Sequence, residues 1–228
     1  MNIKKFLPLL VVLLTFVIVS LAYFSPVLEG KELFQSDIAQ FRGMSKEVKE
    51  FRAEYQKEPY WTNRAFGGMP TYQLSTYYPN DYIKKLDSVL RFLPRPADYL
   101  FLYFLGFFLL LSVLKVDWKL ALIGALGFGF STYLIIILGV GHNATAHAIA
   151  YMPFVLAGFL LVFQKKYLLG FVLTALAMAL EINASHPQMT YYLLFSVLIF
   201  GIVQLMEAFK QKEIPVLAKQ VGILLVAV

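Results

Sequence analysis

No cysteine occurs among the 228 residues, which excludes disulfides, thiolate metal sites and a cysteine nucleophile. Charge is also scarce. Only 15% of the residues are Asp, Glu, Lys or Arg, against roughly a quarter in soluble domains. That shortage excludes an ordinary soluble domain. Histidine is limited to three residues, His142, His147 and His186. The net charge of +6 does not call for a nucleic-acid partner, because the basic residues sit where membrane topology puts them.

What is abundant is apolar. Hydrophobic residues make up 59% of the chain, and they come in blocks close to the ~20 residues that cross a bilayer as a helix. Spans are expected near 6–25, 98–114, 120–139, 148–163, 167–184 and 189–207, with a seventh starting near 218 and cut short at Val228. The expected organisation is a first transmembrane helix (1–25), an extracytoplasmic loop (26–97), and transmembrane helices two to seven (98–228), the seventh truncated. Ser20 and Ala22 stand at a signal-peptidase spacing. The preceding apolar core exceeds the usual ~7–15 residues, which favours an uncleaved anchor.

Lys and Arg near span ends set orientation. Lys4 and Lys5 precede the first span, Lys115 and Lys119 flank the second turn, Lys165 and Lys166 the fourth, and Lys210, Lys212 and Lys219 the sixth. The intervening "GVGHNATAH" and "NASHPQ" connections carry no Lys or Arg. The N-terminus is therefore expected in the cytoplasm, with all three histidines and Asp37 on the outer face.

The outer loop begins with an amphipathic pattern: Phe41, Met44, Val48, Phe51 and Tyr55 recur at helical spacing. Such a helix lies along a bilayer surface or covers the bundle mouth. "EPYWTNRAFGGMPTYQLSTYYPND" follows, rich in turn formers. Gly67-Gly68 lacks the context of a phosphate loop. The aromatics Tyr60, Trp61, Tyr72, Tyr77 and Tyr78 suit either sugar stacking or an interfacial belt. A second amphipathic stretch, "DYIKKLDSVLRFL", returns to the membrane through "PRPAD".

Asp37 has two readings. With Ser36 it is placed to cap the helix starting near Ile38; as a carboxylate beside the membrane it is equally placed to act as a base or metal ligand. His142 and His147, five apart, do not have the four-residue spacing that puts two zinc ligands on one helix face. Histidine does donate hydrogen bonds to phosphate and carries a proton near neutral pH. Glu181 lies inside the fifth span, where an ionisable residue is a functional-site hypothesis. Asn183, His186 and Gln188 flank the helix-breaking Pro187, and Arg64 is a candidate anion clamp.

"SDIAQFRGMSKEVKEFR", "PYWTNRAFGGMPTYQLS", "GHNATAHAIAYMPFVLAG" and "HPQMTYY" together resemble the bacterial YfhO-like membrane proteins. That family is similar to the GT-C class of glycosyltransferases. The resemblance implies an all-α, polytopic transmembrane bundle with a long first extracytoplasmic loop carrying amphipathic helices, in a bacterial cytoplasmic membrane. It implies transfer of a sugar from a polyprenyl-phosphate donor to an extracytoplasmic cell-envelope glycan or glycolipid. Asp37 stands where that class keeps its catalytic acid. In this reading Asp37 is the base of an inverting transfer. His142, His147, His186, Arg64, Glu181 and Gln188 are candidates for the donor phosphate and substrate, and Trp61 and Tyr72 for sugar or acceptor. The class often shows paired acids; Asp37 has Ser36 before it and Ala39 two residues after. Metal dependence is thus left open, with Asp81 or Glu181 as a second acid. Two other functions fit the same pattern: a transporter or flippase for a lipid-linked sugar, and a non-catalytic envelope assembly protein.

Overall fold

The computed structural model describes residues 6–74 and 78–228. Lys4, Lys5 and Tyr77 lie outside the described residues. Among the described residues eleven α-helices account for most of the structure: α1 (Leu7–Tyr23), α2 (Ser36–Met44), α3 (Lys46–Tyr55), α4 (Tyr82–Leu90), α5 (Ala97–Val113), α6 (Trp118–Gly129), α7 (Thr132–Val140), α8 (Asn143–Phe163), α9 (Tyr167–Asn183), α10 (Pro187–Gln211) and α11 (Ile214–Ala227). A minimal antiparallel pair, β1 (Trp61–Thr62) and β2 (Met69–Pro70), sits between α3 and α4.

Two described helices, α8 and α10, are long and apolar enough to cross a membrane; α6 and α7 make a third when taken as one bent span. At 1.5 Å per residue the 21 residues of α8 run about 31 Å, close to a hydrocarbon core. The other apolar helices, α1, α5, α9 and α11, have 14–17 residues.

Two expected helices are broken. The apolar run over 120–139 bends by 47° between α6 and α7. Ser131, at φ −59 and ψ 139, is extended, and one extended residue ends the i→i−4 ladder without any proline. The amphipathic stretch after Asp37 divides at Ser45 into α2 and α3, where ψ is −1. Buried Val48 turns the inner face of α3 toward the protein, while Lys46 and Glu50 pair at 3.6 Å on the outside.

The core lies where α1, α5, α6 and α8 meet. Phe16 of α1 packs on Phe104 and Phe108 of α5, with ring centroids at 5.3 and 5.8 Å. Ala121 and Ala125 present the small face of α6, and Ala146, Ala150 and Tyr151 face in from α8. The α8–α9 contact is closer still. A Cβ on Gly158 would come within 2.7 Å of the Thr174 backbone nitrogen, and one on Gly170 within 2.7 Å of that of Val162. Small residues let two backbones approach in this way, as at transmembrane interfaces. By contrast α10 is held loosely, with Phe195, Leu198, Ile199, Ile202 and Val203 all exposed.

Candidate functional site

Asp37 is not a helix cap. Gln35 occupies the N-cap position of α2, no side chain caps it, and Asp37 lies in the first turn. Its carboxylate instead meets His142, with Oδ2 and Nε2 2.9 Å apart. Two anchors set this approach. The Gln35 side-chain amide donates to the Leu138 carbonyl at the end of α7 (2.6 Å). Gly141 then turns the chain with φ 94. A Cβ at Gly141 would lie 2.8 Å from the Gln35 Cβ, so glycine serves both the left-handed backbone and the close approach of α2.

Asp37 and His142 stand at the mouth of a cleft of about 530 Å³. Ile38 and Phe41 form one wall, Gly141 to Thr145 the floor, and Arg95 and His186 the remaining sides. His186 is also the residue that precedes α10, with Pro187 at its first position. Through His186 the polar cleft adjoins an apolar groove of about 420 Å³ lined by Val155, Phe159, Met178, Tyr191 and Leu194.

The other predicted residues lie elsewhere. His147 does not line the cleft. His142 is the non-helical residue before α8, with φ −69 and ψ 58, whereas His147 stands within its first turns. His147 faces inward, is 8% exposed, and meets the Asp87 carboxylate through Nε2 at 2.5 Å. Glu181 is fully buried and takes its hydrogen bond from the Thr190 hydroxyl at 3.0 Å. Thr190 in turn lines the apolar groove. Gln188 is exposed and donates to the Tyr192 hydroxyl. Asp81 caps α4 by accepting from the Lys84 N–H, and also accepts from the Asn183 side chain. Those bonds, the Lys84 N–H first, hold its carboxyl below the usual range.

Arg64 and Trp61 belong to the β1–β2 segment and Tyr72 to the short 3-10 turn that follows it, and none of the three lines the cleft. Glu47 of α3 organises that segment. Its carboxylate accepts from the Thr62 hydroxyl (2.6 Å) and the N–H groups of Asn63 (3.0 Å) and Arg64 (3.2 Å). The Thr62 bond lowers the Glu47 carboxyl below its usual range; burial opposes it, and the two backbone bonds and the Arg64 charge outweigh that opposition. The Trp61 ring covers Gly68, while Tyr72 is exposed.

Sequence reasoning missed a buried polar knot on the same side of the molecule. Asp87 of α4, within the second amphipathic stretch, is 2% exposed. It accepts from His147, from the Tyr151 hydroxyl (2.7 Å) and from Arg91 (Nη2 2.5 Å). Arg91 also donates to Asp98 at the start of α5 (2.9 Å). Burial alone would push the Asp87 carboxyl up. The hydrogen bonds and charges of His147 and Arg91, with the Tyr151 bond, hold it well below the carboxylate range. Asp87 likewise holds the Arg91 guanidinium firmly protonated despite burial. The signal was in the spacing: Asp87/Arg91 and His147/Tyr151 are both i,i+4 pairs, each on one helix face.

Chemically, the cleft offers one carboxylate on a histidine, a second histidine and one arginine. Among the described residues no three His, Asp or Glu side chains are grouped to hold a metal ion. No family model, curated protein or solved structure matches this chain.

Proposed function

We propose that the protein is a multi-pass membrane glycosyltransferase of GT-C-like architecture, with its site on the extracytoplasmic face of a bacterial cytoplasmic membrane. The observation that carries this reading is the cleft in which Asp37 faces His142 at 2.9 Å and which adjoins an apolar groove through His186. A carboxylate beside a polar opening, next to a greasy groove between helices, suits a substrate with a charged head and a hydrocarbon tail. The exposed apolar face of α10 supports a bilayer around it.

In the proposed reaction Asp37 accepts the proton of an acceptor hydroxyl as its oxygen attacks the anomeric carbon of the donor sugar. The bond between that carbon and the phosphate oxygen breaks, its electron pair leaves with polyprenyl phosphate, and the anomeric configuration inverts. His142 holds the carboxylate in place through Nε2, as an orienting partner holds a base. His186 stands where polar cleft and apolar groove join, the place for a phosphate between sugar and tail. Envelope glycans or glycolipids are the proposed acceptors.

The test is transfer of radiolabelled sugar from a polyprenyl-phosphate sugar to envelope glycolipid by the purified full-length protein in nanodiscs. Transfer that requires Asp37 supports the reading. Transfer unchanged in Asp37→Asn removes Asp37 as the base. Lipid scrambling without transfer points to a flippase instead.

A further inference from the structure

Arg95 is the one arginine lining the cleft, and it is held without being used up. Its guanidinium lies over the Tyr99 ring at 5.1 Å. Its one ion pair among the described residues, to Asp98, is long at 3.8 Å, because Arg91 already takes the near position on that carboxylate at 2.9 Å. The Arg95 side chain is 46% exposed, and its N–H donors make no hydrogen bond among the described residues. A guanidinium positioned this way keeps its planar fork available for an oxyanion.

Opposite it, α8 begins. The first bond within this helix runs from the Ala146 N–H to the His142 carbonyl, so the Ala144 and Thr145 N–H groups have no helical acceptor. His142 supplies no side-chain cap. The 21-residue helix adds the positive end of its dipole.

Independent observations point to a ligand here. Thr145 lines the cleft, is only 7% exposed, and its hydroxyl has no partner among the described residues. Both polar atoms of the Asn143 side chain and Nδ1 of His186 are buried and unpartnered, and both residues line the cleft. Buried polar groups are nearly always hydrogen-bonded, so a cluster of orphans around one opening marks what is meant to fill it.

We propose that Arg95 and the first turn of α8, with Thr145, Asn143 and His186 around them, form a binding site for a phosphate group. Arg95, rather than Arg64, is the anion clamp of the cleft. The phosphate oxygens take the Arg95 fork, the Ala144 and Thr145 N–H groups and the Thr145 hydroxyl. Asp37 opposes an anion at this place, and its pairing with His142 keeps that charge turned aside. The proposal rests on the transferase reading only for the molecule that carries the phosphate; the same chemistry suits a lipid phosphate or free phosphate.

The test uses the whole chain in detergent micelles and titration calorimetry with three probes: inorganic phosphate, farnesyl phosphate and farnesol. Farnesyl phosphate is expected to bind and farnesol to bind at least tenfold more weakly. Binding of inorganic phosphate at equal strength assigns the site to free phosphate; weaker binding assigns it to a lipid phosphate. Arg95→Gln is expected to weaken phosphate binding about tenfold to a hundredfold, as for loss of a charge-assisted hydrogen bond. Thr145→Val weakens it severalfold, and Lys46→Gln, on the exposed face of α3, leaves it unchanged. If Arg95→Gln fails to fold, Arg95→Lys and Thr145→Val decide. The proposal is overturned if no phosphate probe binds, if farnesol binds as well as farnesyl phosphate, or if the Arg95 and Thr145 variants bind like the parent. Arg95-dependent phosphate binding in a protein that transfers no sugar would sink the transferase and leave this site standing.

Discussion

Asp87 and Tyr151 meet at 2.7 Å across 64 positions of sequence, which ties the loop helix α4 directly to the middle of the core. The Asp87 carboxylate, His147 and Arg91 close the rest of that joint. Removing the carboxylate leaves Arg91 and His147 facing one another in a buried place. Asp87→Ala is therefore expected to cost about 3–5 kcal/mol, as for one partner lost from a buried ion pair. Tyr151→Phe, which removes a single hydroxyl, costs about 1 kcal/mol. Thermal unfolding in detergent measures both, and an Asp87→Ala protein as stable as the parent would contradict the assignment.

The same joint has an acid limit. Because the folded-state pKa of Asp87 is depressed, its contribution is complete above the unfolded aspartate value near pH 4. It is lost as pH falls below that value toward the folded one. Amide protection over Tyr82–Leu90 should be equal at pH 7 and pH 5 and decline at pH 3 and below. In Asp87→Asn this acid-dependent decline should shrink to the part that the Asp81 cap of the same helix contributes.

At the α8–α9 seam the test is volume. A side chain at Gly158 meets not only the Thr174 hydroxyl but also its backbone nitrogen and Cα, which cannot rotate away. Gly158→Val should destabilise by about 1–3 kcal/mol, as overpacking does. Gly201→Val, where a Cβ meets nothing within 4 Å, serves as the comparison. Chemical denaturation of the two variants side by side should separate them clearly.

For the proposed chemistry, Asp37→Asn should reduce sugar transfer about a hundredfold or more while leaving thermal stability within about 0.5 kcal/mol. The ion pair with His142 is half exposed on both sides, and such pairs add little to stability. His142→Gln should lower turnover less than Asp37→Asn and leave farnesyl phosphate binding within severalfold of the parent. Rate measurements at saturating donor distinguish this from a loss of donor affinity.

The helical character of the chain was legible because apolar runs of bilayer length leave few alternatives to helix. The side-by-side placement of Asp37, His142 and His186 was partly legible. The alternation of basic connections put all three on one side, though nothing in the sequence told which histidine would reach the acid. His147 illustrates the gap. Its neighbours in sequence are small, as are those of His142, and only the backbone at the start of α8 sends one side chain to the cleft and the other inward. Asp87 was hidden for another reason. In "DYIKKLDSVLRFL" a charged residue is assigned to water by pattern, yet the partners that make its burial tolerable come from α8, far along the chain. Arg95 was passed over beside Arg64 because its availability depends on Arg91 having claimed Asp98 first. Such competition is invisible to spacing.

The Gly141 turn gives the cleft a property that its ion pair alone would not. Gln35 is moored to Leu138 and pressed against Gly141, so the backbones carrying Asp37 and His142 are fixed independently of the bond between the two side chains. Parting that bond costs only the rotation of two half-exposed groups. A guest can therefore settle beside the pair, and small adjustments of the two side chains to it leave the frame still. The cleft is built less like a jaw that must close than like a socket already held open.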